Sequence, residues 1–120
     1  MRILVIDDEE GIRASLADIL SVLGGIVTTA ANGVNGLEVF RHSVGFDLVF
    51  TDRTMPGGIL GEEVVREIKR FSPKTFVVLM SGDESKEVER VGKAAGADKI
   101  LFKPFHLTDV QGVFKEVATG

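Results

Sequence analysis

The chain of 120 residues contains no cysteine. That absence removes thiol catalysis, zinc–thiolate centres and disulfide scaffolds together, and it accords with a reducing compartment. Long apolar runs are also missing, and none approaches the roughly 20 residues needed to cross a bilayer. Met1-Arg2 leads straight into a strand-like run, with no small-residue cleavage site behind a long apolar region. Positive charge is outweighed, 14 Lys and Arg against 18 Asp and Glu, for a net charge of −4. Phosphate contacts need clustered Lys and Arg, so nucleic-acid binding by this chain is not expected. There is no internal repeat, linker or low-complexity stretch. What remains is a hydrophobic content of 44%, enough for one proper core. The expectation is a soluble, unexported, cytoplasmic chain folding as a single domain over residues 1–120.

Short apolar runs alternate with helical patterns. Ile3-Leu4-Val5-Ile6 is a β-branched run ending abruptly in Asp7-Asp8. Apolar positions Ile12, Leu16, Ile19, Leu20 and Leu23 then mark an amphipathic helix stopped by Gly24-Gly25. Ile26 to Ala30 reads as a second strand, and Val34, Leu37 and Phe40 as a second helix after the turn-prone Asn32-Gly33. Asp47 to Thr51 is a third strand that delivers Asp52. A loop from Arg53 to Leu60 precedes a helical face of Val64, Val65, Ile68 and Phe71. Phe76 to Met80 is the most strand-like segment. Glu84 to Ala95 reads as a helix polar over its first half, Ile100-Leu101-Phe102 as a fifth strand. Val110, Val113, Phe114 and Val117 face inward from a last helix. Strict alternation with fully apolar strands predicts an α/β fold, a doubly wound parallel sheet covered on both faces. The two histidines share no ligand spacing with a third donor and read as ordinary surface or half-buried residues.

Polar residues mark the C-terminal ends of four strands: Asp7-Asp8, Asp52, Ser81 and Lys103. In an open parallel sheet those ends form the ligand crevice, concentrated where strand order reverses. Right-handed crossovers in the order 2-1-3-4-5 set the first and third strands side by side there, so Asp7, Asp8 and Asp52 converge. Packed carboxylates repel unless a cation is present. Mg²⁺, a hard ion that takes one or two carboxylates and binds phosphate, is the natural cofactor. Lys103 adds a compact positive charge and Ser81 a hydroxyl, both suited to phosphoryl oxygens. Nucleophilic carboxylate, metal, ammonium and hydroxyl together suit phosphoryl transfer through an aspartyl phosphate. Taken singly each signal has a plain alternative. Asp-Asp is an ordinary helix start, Ser81-Gly82-Asp83 a turn and cap, Lys103-Pro104 a loop opening. Their occurrence in order on successive strands is what carries weight.

These segments give the chain a resemblance to the response-regulator receiver domains of two-component signalling, from first residue to last. The matching elements are Asp7-Asp8-Glu9, Asp52-Arg53-Thr54-Met55-Pro56, Ser81-Gly82, Gly96-Ala97-Asp98 and Lys103-Pro104-Phe105. The resemblance implies a (βα)₅, flavodoxin-like three-layer sandwich and phosphorylation of Asp52 by the phosphohistidine of a sensor histidine kinase or phosphotransfer protein. It further implies that Asp8 binds Mg²⁺ directly and Asp7 mainly through a metal-bound water. Asp52 would be both metal ligand and nucleophile, and Thr54 would offer its backbone carbonyl to the metal. Ser81 and Lys103 would hold the acyl phosphate, with the Lys103–Pro104 bond commonly cis. The unknown downstream effector would meet the fourth helix, fifth strand and fifth helix, and the chain itself would be a monomer or a weak homodimer.

Two features depart from the family pattern. The glycine expected four residues beyond Pro56 lies five beyond, at Gly61, with Gly57-Gly58 between, which reads as a one-residue insertion. The aromatic residue expected three positions before Lys103 is Ile100, stiff at χ1 and without a hydroxyl. Movement of Ser81 would then be relayed by the following loop and helix, without an aromatic gate. A non-phosphorylated pseudo-receiver is the alternative reading. An aspartate-nucleophile phosphatase of the haloacid dehalogenase type fits less well, because that family wants Asp-x-Asp after the first strand and a cap. As a switch acting on itself, the chain is not expected to turn over an external substrate. With no effector segment after Gly120, it is either a single-domain regulator or a piece of a longer protein.

Overall fold

Successive residues of a strand point to opposite faces of a sheet, and an apolar residue at every position calls for cover on both. A computed structural model of the chain, describing residues 1–43 and 45–120, shows this arrangement. The strands are β1 (Arg2–Ile6), β2 (Ile26–Ala30), β3 (Leu48–Asp52), β4 (Phe76–Ser81) and β5 (Lys99–Phe102). All neighbours pair in parallel, in the order 2-1-3-4-5. The helices are α1 (Glu10–Val22), α2 (Gly33–His42), α3 (Gly61–Phe71), α4 (Lys86–Ala95) and α5 (Leu107–Thr119). Leu4, Ile6, Val49, Val77 and Leu79 pack with Leu37, Phe40, Val64, Val65 and Ile68, under α2, α3 and α4. Their strand neighbours Ile3, Val5, Leu48, Phe50, Val78 and Met80 pack with Leu16, Leu20, Val110 and Val113, under α1 and α5. The result is the three-layer α/β sandwich. Among the described residues no helix is long and apolar enough to cross a membrane.

Local chemistry sets the element ends. Gly24, at φ 105°, and Gly96, at φ 106°, adopt a backbone that L side chains resist, and each stops a helix. The Asn32 side chain accepts from the Asn35 N–H at 2.8 Å and caps α2. After Gly96, the Asp98 carboxylate accepts the Val77 N–H at 2.8 Å and pairs with Lys69 at 2.6 Å. The Gly96-Ala97-Asp98 turn thereby fastens the start of β5 to β4 and α3.

Some expectations are corrected. α4 begins at Lys86 rather than Glu84, because the Ser85 hydroxyl caps it by accepting from the Val88 N–H. β2 is not covered on both faces: it is an edge strand, largely exposed, with Ile26 66% accessible. Val34 and Phe71 sit on the expected helices but outside the core, 53% and 62% exposed. Phe71 instead carries the Arg41 guanidinium 5.3 Å from its ring centre.

Candidate functional site

The register of the sheet brings the strand ends level. Ile6 lies opposite Thr51, Asp52 opposite Met80, and Ser81 opposite Phe102. Asp7 continues β1 with an N–H bond to the Ala30 carbonyl at 3.1 Å, and Lys103 continues β5 with one to the Ser81 carbonyl at 2.7 Å. Because β1 and β3 are neighbours at the reversal of strand order, Asp7, Asp8 and Asp52 present carboxylate oxygens all within 4.8 Å of one another. Asp7 is fully buried, Asp52 nearly so, and Asp8 is exposed at the mouth.

Among the described residues one side-chain cation pairs with this cluster. The Lys103 ammonium lies 2.8 Å from Asp7 Oδ2, 3.3 Å from Asp52 Oδ1 and 3.5 Å from Glu9 Oε1. Burial pushes the Asp52 carboxyl up to about 6; the Asp7 charge adds to the rise and Lys103 opposes it. Burial also penalises the charge on Lys103. The hydrogen bond to Asp7 and the charges of Asp52 and Asp7 outweigh that penalty, and the ammonium ends above its ordinary value. The clustered carboxylates of Asp7, Asp8 and Asp52 beside one ammonium leave an excess of negative charge among oxygen donors. That set fits a hard divalent ion such as Mg²⁺, with Asp7, Asp8 and Asp52 as the groups that would hold it. Such an ion would neutralise the carboxylates and draw in phosphate oxygens.

The remaining predicted residues fall around this centre. Ser81 is buried at the end of β4, and its hydroxyl oxygen accepts the Asp83 N–H at 3.0 Å. Its own proton stays available to a further acceptor. Thr54 is exposed two residues past Asp52, and among the described residues its carbonyl makes no hydrogen bond. The Lys103–Pro104 bond is cis. Gly61 opens α3 and donates its N–H to the Arg53 carbonyl at 2.7 Å. A side chain there would strike the Asp52 carbonyl and meet Arg53 Cα at 2.6 Å. Position 61 therefore requires glycine, and Gly57 and Gly58 in the loop before it both lie at positive φ. Ile100 packs against the core beside Gly92, where an added Cβ would meet Ile100 Cδ1 at 2.9 Å.

Residues 3–115 match the family model described as the response regulator receiver domain. This chain belongs to that family. Chemotaxis protein CheY of Halobacterium salinarum is 32% identical over 121 residues, covering 99% of this chain and 98% of that protein. Transcriptional regulatory protein AfsQ1 of Streptomyces coelicolor is 36% identical over 102 residues, covering 85% of this chain and 44% of that protein. The receiver thus spans about half the length of the transcriptional regulators it matches, and nearly all of that CheY. Among solved structures, the BeF3-activated DrrB receiver domain superimposes with a TM-score of 0.91 at 29% identity, over 99% of this chain and 97% of that one. Chemotaxis response regulator CheY4 of Vibrio cholerae gives 0.87 at 30% identity, over 97% of both chains.

Sequence reasoning passed over three contacts. Arg13 on α1 donates to the Asp7 carbonyl at 2.8 Å, and Glu9 joins the Lys103 contacts. Arg53 donates to both carboxylate oxygens of Glu62 from Nε and Nη2, at 3.3 Å each, and Glu62 is only 6% exposed. An acid in the first turn of a helix ordinarily sits in solvent, where it favours the helix dipole, so its burial had no signal in the sequence.

Proposed function

We propose that this receiver takes a phosphoryl group on Asp52 from the phosphohistidine of a sensor histidine kinase or phosphotransfer protein. Mg²⁺ would be held by Asp7, Asp8 and Asp52 together with the Thr54 carbonyl. The observation that carries this is the convergence of the Asp7, Asp8 and Asp52 carboxylates at the reversal of strand order, with the Lys103 ammonium on Asp7 and Asp52. Burial pushes the Asp52 carboxyl up to about 6, which makes it a basic carboxylate suited to accept a phosphoryl group once proton and repulsion are displaced by a cation. Lys103 balances the charge of the transferred group, and the Ser81 hydroxyl donates to one of its oxygens.

Ser81 is shared between the Asp83 N–H and this role, so its engagement would pull on the segment leading into α4. That movement would change the face of α4, β5 and α5 offered to an effector. The protein acts on itself rather than on an external substrate, and its lack of cysteine accords with residence in the cytoplasm. Incubation with Mg²⁺ and acetyl phosphate, followed by intact mass, tests the reading. One phosphoryl group should be gained, and lost in Asp52→Asn or in EDTA. No gain in the wild type refutes it, and steady turnover of a phosphoester would point to a phosphatase instead.

A further inference from the structure

Arg53 directly follows the acceptor, and its backbone is held on both sides. Its N–H lies 2.8 Å from the Met80 carbonyl and 3.0 Å from Asp52 Oδ1, while its carbonyl accepts from Gly61. These bonds form the neck of the lengthened loop, residues 54–60, which contains two glycines at positive φ. Across the neck the Arg53 side chain grips the buried Glu62 with two parallel bonds. A buried ion pair seldom stabilises a fold more than apolar side chains of similar size would. The helix dipole does not require it either, since Glu63 is exposed one residue further on. What a guanidinium–carboxylate fork does supply is direction, fixing two groups in a plane.

With Asp52 as the acceptor proposed above, on which this rests, we infer that the Arg53–Glu62 pair is a positioning device for that acceptor. It shuts the neck of the loop so that the Arg53 N–H stays on Asp52 Oδ1, and motion of the glycine-rich segment does not reach the nucleophile. Arg53 and Glu62 are positioning residues; neither needs to touch the phosphoryl group.

The test is the double variant Arg53→Met with Glu62→Met, which leaves net charge unchanged and replaces the fork by adaptable apolar packing. Its melting midpoint should match that of the wild type, and its Mg²⁺ affinity should stay within about two-fold, while phosphorylation by acetyl phosphate at saturating Mg²⁺ slows about ten-fold, since small misplacement of a reacting group is costly. Arg53→Lys keeps the charge but loses the fork, and should slow the reaction by about three-fold or more. It also decides the matter should the double variant not fold. Wild-type rates in the folded variants overturn the inference, as does a slowing matched by an equal loss of Mg²⁺ affinity. A wild type that takes no phosphoryl group at all refutes the acceptor role of Asp52 itself, and the positioning role falls with it.

Discussion

Replacing the acceptor should stabilise the metal-free protein. Asp52 is 6% exposed, and its carboxyl is pushed up to about 6 from 3.8, chiefly by burial and then by the Asp7 charge. An acid whose folded pKa exceeds its unfolded one binds more protons when folded. Its ionisation therefore costs stability as pH rises from about 4 through about 6, after which the cost is constant. A shift of about two units corresponds to about 3 kcal/mol at neutral pH. Asparagine keeps the shape and removes the charge, but weakens the contacts from Lys103 and the Arg53 N–H. Asp52→Asn in EDTA at pH 7.5 should thus gain about 1–3 kcal/mol by urea unfolding, with the advantage shrinking by about 2 kcal/mol on lowering the pH to about 4.5. Lys103 does not disturb this window, because its raised pKa stabilises the fold at all pH values below its ordinary range and loses that effect only in alkali. Mg²⁺ at about 100 times its Kd should return about 2.7 kcal/mol to the wild type and little to the variant. An Asp52→Asn protein no more stable than wild type in EDTA, or a difference independent of pH, would refute the account of the site as a strained acidic cluster.

Other expectations follow from single contacts. Lys103→Met leaves the fully buried Asp7 without its ammonium, and should cost about 2 kcal/mol in EDTA and abolish labelling by acetyl phosphate. Calorimetry and intact mass check the two parts separately. Gly61→Ala drives a methyl group into the backbone of Asp52 and Arg53, neither of which can yield as a side-chain tip would. A loss of about 2 kcal/mol in urea unfolding is expected, and a neutral result would contradict the close approach. Beryllofluoride with Mg²⁺ should shift NMR signals of amides from Gly82 to Lys103 and the methyl groups of Ile100. Silence across that segment would dismiss a relay through the loop after Ser81 and α4.

Much of the fold was legible because its causes are local. Apolar runs such as Ile3 to Ile6 and Phe76 to Met80 need cover on two faces, helical spacing supplies it, and right-handed crossovers then leave few strand orders. The chemistry was legible for a related reason: Asp7, Asp8, Asp52, Ser81 and Lys103 each directly end or follow an apolar strand, and parallel strands finish on one edge. Errors arose where a residue's type leaves its surroundings open. Val34 and Phe71 have apolar side chains at helical spacing, yet both stay outside the core, 53% and 62% exposed. β2 lies at the edge that the order 2-1-3-4-5 assigns it, but nothing in Ile26 to Ala30 states how much of it stays exposed there.

The sequence by itself determined the alternation of elements, the parallel sheet and the set of groups at its C-terminal edge, because periodicity and strand ends are written in neighbouring residues. Only the tertiary structure decided what those groups feel. The elevated proton affinity of Asp52 depends on burial and on Asp7, 45 positions away, and is held down by Lys103, 51 positions away in the other direction. The same holds for Glu62, an ordinary first-turn acid in the sequence that becomes a buried partner of Arg53 in the fold. Desolvation and charge act through space, and distances in space exist only once the chain has packed.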